Sequence, residues 1–449
     1  MKFKGTAALL ALFVALGAYV YFAEYRGKED RQKQEEAKKK ALNIEAGDIT
    51  EISLVFPDRT ITGVKRGEKQ WEITNPPGIE PDIDEWELLS TNVPRIERQE
   101  TVTTEASDLA QFGLDNPRVK VIAKTKDGKT SEVLFGGENP RKIYNYAKFG
   151  NSNEVFLSPS SWSRIFQKTL TDLRNKKILE FETDDVDVVT IVSGKSETQF
   201  QKSGTDWSVK KPLDTKADSG EISTFLSSIK FARAASFAEA NVDTTAAGLE
   251  PPAVRITLHD AKANANRELL IGKAAETDKY YAKDSSRAAI YIIEKDLPEK
   301  TKRPLTDWRD KSITQVDREK TDQIEIHRGG ETIAMKKDGS DWKSLDGKKL
   351  QWDKVSGLMN TLEFDKAKEI IDAPKGLGTY GLDKPRLEVV FKQAANELVR
   401  ISFGSDTKTP EGIYIKASNS PAVKVVSKDV FDRFNLKAED LIEPSTTKQ

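Results

Sequence analysis

Gly376-Leu377-Gly378-Thr379-Tyr380-Gly381 has the G-x-G-x-x-G spacing with which a tight turn brings the backbone against a pyrophosphate. That chemistry needs a strand before the glycines and a helix after them, so that the helix N-terminus meets the phosphates. Here Asp383-Lys384-Pro385 and a strand-like Leu387 to Phe391 follow, so the stretch is expected to be a turn. Ser-x-x-Lys, the spacing of an acylating serine and its lysine, occurs at Ser208–Lys211, Ser227–Lys230, Ser340–Lys343 and Ser405–Lys408. The Ser-Asp-Asn and Lys-Thr-Gly partners of that chemistry are absent from the sequence, which leaves these pairs as background. Asp184, Asp185 and Asp187 gather carboxylates that could hold a hard cation, but without EF-hand spacing, and are expected as a solvated loop. With two histidines and no cysteine, a Ser-His-Asp triad or a multi-ligand zinc site has little material. His259 follows the alternating run Val254 to Leu258, and His327 follows Ile324 to Ile326, so each is expected on a strand. The sequence therefore implies no catalytic residue, no cofactor and no metal site.

Recurrence leaves one further set of candidates. Trp71, Trp207 and Trp342 are spaced by 136 and 135 residues. Tyr146, Tyr281 and Tyr414 keep nearly the same beat, each two residues before a lysine (Lys148, Lys283, Lys416). An aromatic face can stack on a sugar or grip a partner segment. A residue needed at one place in every copy is first explained by packing, because each copy must fill the same core.

Two glycine markers complete the repeat. Gly-Leu-x-x-Pro stands at Gly113–Pro117, Gly248–Pro252 and Gly381–Pro385, and an apolar run ends in Gly136, Gly272 and Gly404. Four markers at one period define three tandem modules, residues 42–180, 181–314 and 315–443, with a tail at 444–449. Module one predicts strands at Ile49 to Leu54, Ile61 to Lys65, Trp71 to Thr74, Val119 to Thr125, Ser131 to Phe135, Ile143 to Phe149 and Glu154 to Leu157. Asp82, with Glu85 three residues on, caps a helix whose Trp86, Leu89 and Val93 share one face. Ser158-Pro159 predicts a second helix, with the serine as N-cap. Asp218 and Glu221 open the equivalent helix of module two. Module ends also correspond, at Thr171-Asp172-Leu173-Arg174, Thr306-Asp307-Trp308-Arg309 and Asp440-Leu441-Ile442. The expected fold class is α+β: a single N-terminal transmembrane helix, then three β-rich modules of mostly antiparallel sheet with about two helices each.

Charge excludes one large class of partner. The 71 basic and 72 acidic side chains nearly cancel, so there is no basic field for nucleic acid. The absence of cysteine suits an oxidising compartment outside the cytoplasm. Gly5 to Ala23 carries no charge, and as a helix would be about 28 Å long, against a hydrocarbon core of roughly 30 Å. Tyr19, Tyr21, Phe22 and Tyr25 gather at its far end, as at a membrane interface. Residues 1–23 are thus expected as a membrane anchor, and the charged residues 24–41 as a helical spacer. A cleaved signal peptide, with Leu16-Gly17-Ala18 as a loose cleavage site, is the competing reading.

Together these motifs resemble the family named domain of unknown function 4340, over about residues 45–443. The residues that carry the resemblance are Trp71 with Pro76, Trp207 with Pro212, the three Gly-Leu-x-x-Pro turns, and Gly136, Gly272 and Gly404. Trp342 departs from it, with Leu345-Asp346-Gly347 following instead of a proline. The resemblance implies a non-enzymatic, membrane-anchored extracytoplasmic accessory protein beside an ABC-type permease and ATPase like those of gliding-motility systems. An envelope protein that binds cell-wall glycan or peptide through aromatic clefts is the alternative.

Overall fold

The computed structural model describes residues 40–239 and 241–444, together with Phe13, Leu16, Tyr19 and Tyr21. The chain divides into two compact units, residues 1–177 and 178–449. The first unit contains one eight-stranded sheet, and the second a nine-stranded and an eight-stranded sheet.

In the first unit, β1 (Ile49–Val55), β2 (Thr60–Gly67) and β3 (Gln70–Asn75) form a meander. Helix α1 (Ile83–Asn92) leads to β4 (Glu100–Thr103), and β5 (Val119–Thr125), β6 (Thr130–Glu138), β7 (Tyr144–Phe149) and β8 (Val155–Pro159) form a second meander. The spatial order is β3-β2-β1-β5-β6-β7-β8-β4, with every neighbouring pair antiparallel. Two crossings of the sheet follow from that order. One runs from the β3 edge to the β4 edge through α1, and the other returns from β4 to the centre through residues 104–118. Side chains alternate along a strand, so these crossings can cover opposite faces. Val133 and Phe135 pack with Trp86 and Leu89 of α1 in the main core, whereas Leu134 between them packs with Leu114 and Val155. The helix covers one face and the Gly113 turn covers the other.

The second unit repeats this plan twice, with the same strand order in each sheet and one added strand, Thr215–Lys216. The outermost strands stay short: Ser236–Phe237 in the second sheet, and Asp341–Ser344 and Glu369–Ile371 in the third. Three helices serve each sheet among the described residues, rather than about two. They are α1, α2 (Ser160–Phe166) and α3 (Leu170–Leu173) in the first sheet. The second has α4 (Ser219–Phe231), α5 (Asp296–Lys300) and α6 (Leu305–Trp308), and the third α7 (Trp352–Phe364), α8 (Lys428–Phe434) and α9 (Ala438–Leu441). The shortest of each trio closes its module on the long helix. The backbone N–H of Asp82 donates to Leu173 O at 2.9 Å, that of Asp218 to Trp308 O at 2.9 Å, and that of Gln351 to Leu441 O at 2.8 Å.

The structure corrects the expected fold class in its first element. Among the described residues no helix is long and apolar enough to cross a membrane. The longest, α4 and α7, have 13 residues each and therefore span only about 20 Å, short of a roughly 30 Å core. The expected anchor at Gly5 to Ala23 lies outside the described residues except for Phe13, Leu16, Tyr19 and Tyr21. The spacer also falls outside them up to Lys39, and at its end Lys40 bridges Glu97 and the Ala41 N–H donates to Ile96 O at 2.7 Å.

Two finer expectations shift as well. Strand β8 continues through Pro159, so α2 starts at Ser160 and Ser158 is buried without a partner for its Oγ, not an N-cap. Ile178 and Leu179 pack in the second core, and Ile313 in the third, so the apolar residues after the first two closing helices belong to the following sheet.

Candidate functional site

The recurrent residues come together on each sheet as two buried arrangements. Trp71, Trp207 and Trp342 lie in the three main cores, at 5%, 3% and 3% exposure, with almost no aromatic face left for a ligand. Trp71 stacks on Trp86 at 5.5 Å between centroids, and its Nε1 donates to Glu87 Oε1 at 2.8 Å. Both Asn75-Pro76 and Lys211-Pro212, five residues beyond their tryptophans, are cis.

On the opposite face the three tyrosines are half-buried under the glycine turns. Tyr146 packs against Phe112, with centroids 5.1 Å apart, beside Leu114. Tyr281 packs with Ala247 and Leu249, and Tyr414 meets Tyr380 edge-on at 5.0 Å beside Leu382. The lysine two residues after each tyrosine ties down the next turn. Lys148 Nζ donates to Gly150 O, Lys283 Nζ to Arg287 O and Lys416 Nζ to Ser420 O.

The glycines explain why the turn can lie so close to the sheet. Gly113, Gly248 and Gly381 have φ of 62°, 67° and 66°, the left-handed region that glycine enters without Cβ strain. Beneath them Gly136, Gly272 and Gly404 sit at bulges where the register shifts between Phe135 and Glu138, Ile271 and Ala274, and Phe403 and Asp406. A Cβ there would lie 2.4 Å from Phe112 O, 2.2 Å from Ala247 O and 2.1 Å from Tyr380 O, respectively. Pro117, Pro252 and Pro385 then end each turn just before the central strand begins at Val119, Val254 and Leu387. Gly376 to Gly381 belongs to this arrangement, with a 3-10 turn over Leu377–Tyr380 and the Lys375 N–H donating to the Tyr380 hydroxyl at 3.2 Å.

The titratable candidates are placed apart from these sites. Asp184 and Asp185 lie in a 3-10 turn, while Asp187 Oδ1 is 2.6 Å from His259 Nδ1 across adjacent strands. That carboxylate holds the imidazole above its ordinary value of 6.5, against a smaller opposing effect of burial. A raised folded value places the contribution to stability at low pH, where it is lost as pH rises through the folded pKa. In an NMR titration, Asp187→Asn is expected to lower the His259 midpoint, and an unchanged midpoint would show that the pair does not hold the proton. His327 Nε2 donates to the Glu325 carboxylate at 3.2 Å, and its Nδ1 lies 3.0 Å from Thr332 Oγ1. Glu325 feels burial first, but the paired Lys392 at 2.6 Å prevails and keeps its carboxyl below the ordinary range.

Sequence reasoning missed the ion pairs that span elements. Glu85 pairs with Lys168 and Glu221 with Arg303, each at 2.8 Å, and Arg309 pairs with Asp372 through both oxygens at 2.7 and 2.8 Å. The signal for the first two was present, since Glu85 and Glu221 are 136 residues apart and Lys168 and Arg303 are 135.

No curated protein and no solved structure matches the chain. The family described as Domain of unknown function (DUF4340) matches it three times, at residues 71–252, 207–363 and 344–449. The first match begins on Trp71 and ends on Pro252, and the second begins on Trp207, so the matches are framed by residues that recur in the modules. Because they run without a break from residue 71 to residue 449, the chain belongs to the DUF4340 family.

Proposed function

We propose that the chain is a non-enzymatic accessory protein on the extracytoplasmic side of the cell membrane, where its modules present surfaces to the permease of an ABC-type transport complex. One observation carries this reading: the aromatic and glycine residues that recur in all three modules are spent on packing and on seating the covering turns. The tryptophans fill cores, and the tyrosines and paired glycines seat a covering turn. A repeated scaffold whose shared residues serve packing suits a protein that offers its faces to partners. The absence of cysteine fits the periplasmic placement. The transporter context is what the resemblance noted above implies.

The test is affinity purification of the tagged full-length protein from its native membrane, with mass spectrometry of what accompanies it. Recovery of a permease and an ATPase in fixed proportion to the tagged chain is the expected result. A chain recovered alone, or one that releases isolated cell-wall glycan only on competition with soluble sugar, overturns it.

A further inference from the structure

In the first two sheets the third residue of the long helix is a glutamate tied to a cation near the end of the module: Glu85 to Lys168, and Glu221 to Arg303. Each cation stands five residues before the buried end of the closing helix, Leu173 or Trp308. The third module preserves both positions but changes both residues. Lys354 takes the third position of α7, and Leu436 stands five residues before the buried Leu441. The pair between the long helix and the segment before the closing helix is therefore gone, and a groove of about 400 Å³ lies beside α7 and the end of α8.

Its apolar lining comes from Leu358, Phe364 and Leu436, and Gly357 leaves a gap in the helix wall with nothing within 4 Å of where a Cβ would stand. Phe364 is 67% exposed, so this apolar surface is not satisfied within the module. Of the charges lining the groove, Arg433 is paired with Asp365. Lys354 makes no ion pair among the described residues and sits in the first turn of a helix, where the N-terminal field disfavours a cation. A lysine replaces the glutamate found in the sister modules, leaving Asp353 as the acid of that first turn.

We propose that this groove binds a segment of a partner protein that carries an apolar side chain next to a carboxylate. The apolar lining takes the side chain, and Lys354 takes the carboxylate. Asp353, the neighbouring acid on the rim, disfavours a second negative charge, so the segment carries one. The volume falls within the roughly 300–1,000 Å³ typical of pockets that enclose small groups. This deepens the interaction role proposed above and rests on it only for the partner being a protein.

The experiment uses the full-length chain and two soluble probes, N-acetylphenylalaninate and its uncharged amide, followed by saturation-transfer NMR. The carboxylate is expected to bind about two- to fivefold tighter than the amide, the equivalent of one exposed charge contact. Lys354→Gln should bring the two probes level. Gly357→Leu should abolish binding of both while raising Tm, because it replaces a helix glycine with a good helix former and its added Cβ meets nothing within 4 Å. Lys354→Glu combined with Leu436→Arg, which rebuilds the pair of the sister modules, should also abolish binding. Equal affinity for the two probes in the native chain, or binding undisturbed by Gly357→Leu, overturns the site. A groove that passes these tests in a chain that purifies without a permease would sink the transporter role and leave the site standing.

Discussion

Gly272→Val strips the second sheet of its outer cover and destabilises it by more than about 4 kcal/mol, at the far end of what single substitutions do. The first side-chain atom would stand 2.2 Å from Ala247 O and 3.1 Å from Gly248 O. Both are backbone atoms, so no rotamer change can relieve the clash. Ala247 O also accepts the Lys273 N–H at 3.1 Å, and moving the turn away breaks that bond. With the turn goes the satellite cluster of Ala247, Leu249 and Leu270, which exposes apolar surface on a face that the helix does not reach. Gly248→Ala in the same turn should cost less, about 1–2 kcal/mol for the left-handed backbone. Gly376→Ala, where the added methyl meets nothing and φ is negative, should fall within about 0.5 kcal/mol of the native protein. Chemical denaturation of the three variants tests the order, and a Gly272→Val protein as stable as Gly376→Ala would refute it.

Asp372→Ala is expected to cost about 3 kcal/mol and to uncouple the second and third sheets, since it strands a buried guanidinium. Arg309 is 7% exposed as a side chain and is held by both Asp372 oxygens, with Thr215 Oγ1 at 3.3 Å as its remaining side-chain acceptor. Its Nε has no partner even in the native fold. The same substitution removes an anion from beside Lys424, whose Nζ donates to Ser312 O at 2.7 Å and Ile313 O at 3.0 Å. Burial already holds Lys424 below its ordinary value, with Asp310 opposing, and losing Asp372 pushes it lower. A base with a depressed folded pKa gives stability that is lost as pH falls through that value, so the variant should gain more than the native protein from alkaline buffer. Differential scanning calorimetry should show one transition of the second unit splitting into two. Glu363→Ala, which removes the exposed pair with Arg318, is the control and should cost less than about 1 kcal/mol. A single unshifted transition in Asp372→Ala would show that the junction is held by something else.

The period of the repeat made much of the architecture legible. Trp71, Gly113 and Gly136 announced their counterparts, and strands alternating in polarity fell where the chain forms sheets. What spacing could not reveal was how distant strands meet. That β1 lies beside β5, and that β4 closes the far edge, depends on two crossings whose faces are set by a single alternation at Val133, Leu134 and Phe135. The same limit applied to side chains. Trp71 and Tyr146 were equal candidates in the sequence, and only the sheet's two faces separate a core residue from one beneath a turn. Glu85 shows the opposite error, since its i+3 relation to Asp82 suggested a partner in the cap, whereas its carboxylate pairs with Lys168 instead. The Lys354 and Leu436 groove was hidden for a related reason: it arises from the loss of a pair, and a missing interaction leaves no motif.

The short outermost strands bear on how such a chain survives its own synthesis. Twenty-five strands among the described residues come from three copies of one plan, so each nascent copy meets strands of nearly its own pattern before it is complete. Long open borders would let one copy graft onto another, or onto a neighbouring chain, through the same ladder of amide bonds that builds the sheet. Borders such as Thr215–Lys216 and Ser236–Phe237 offer only two residues to such an intruder. The tandem design thus gains resistance to fibre formation from strands that contribute little to its stability.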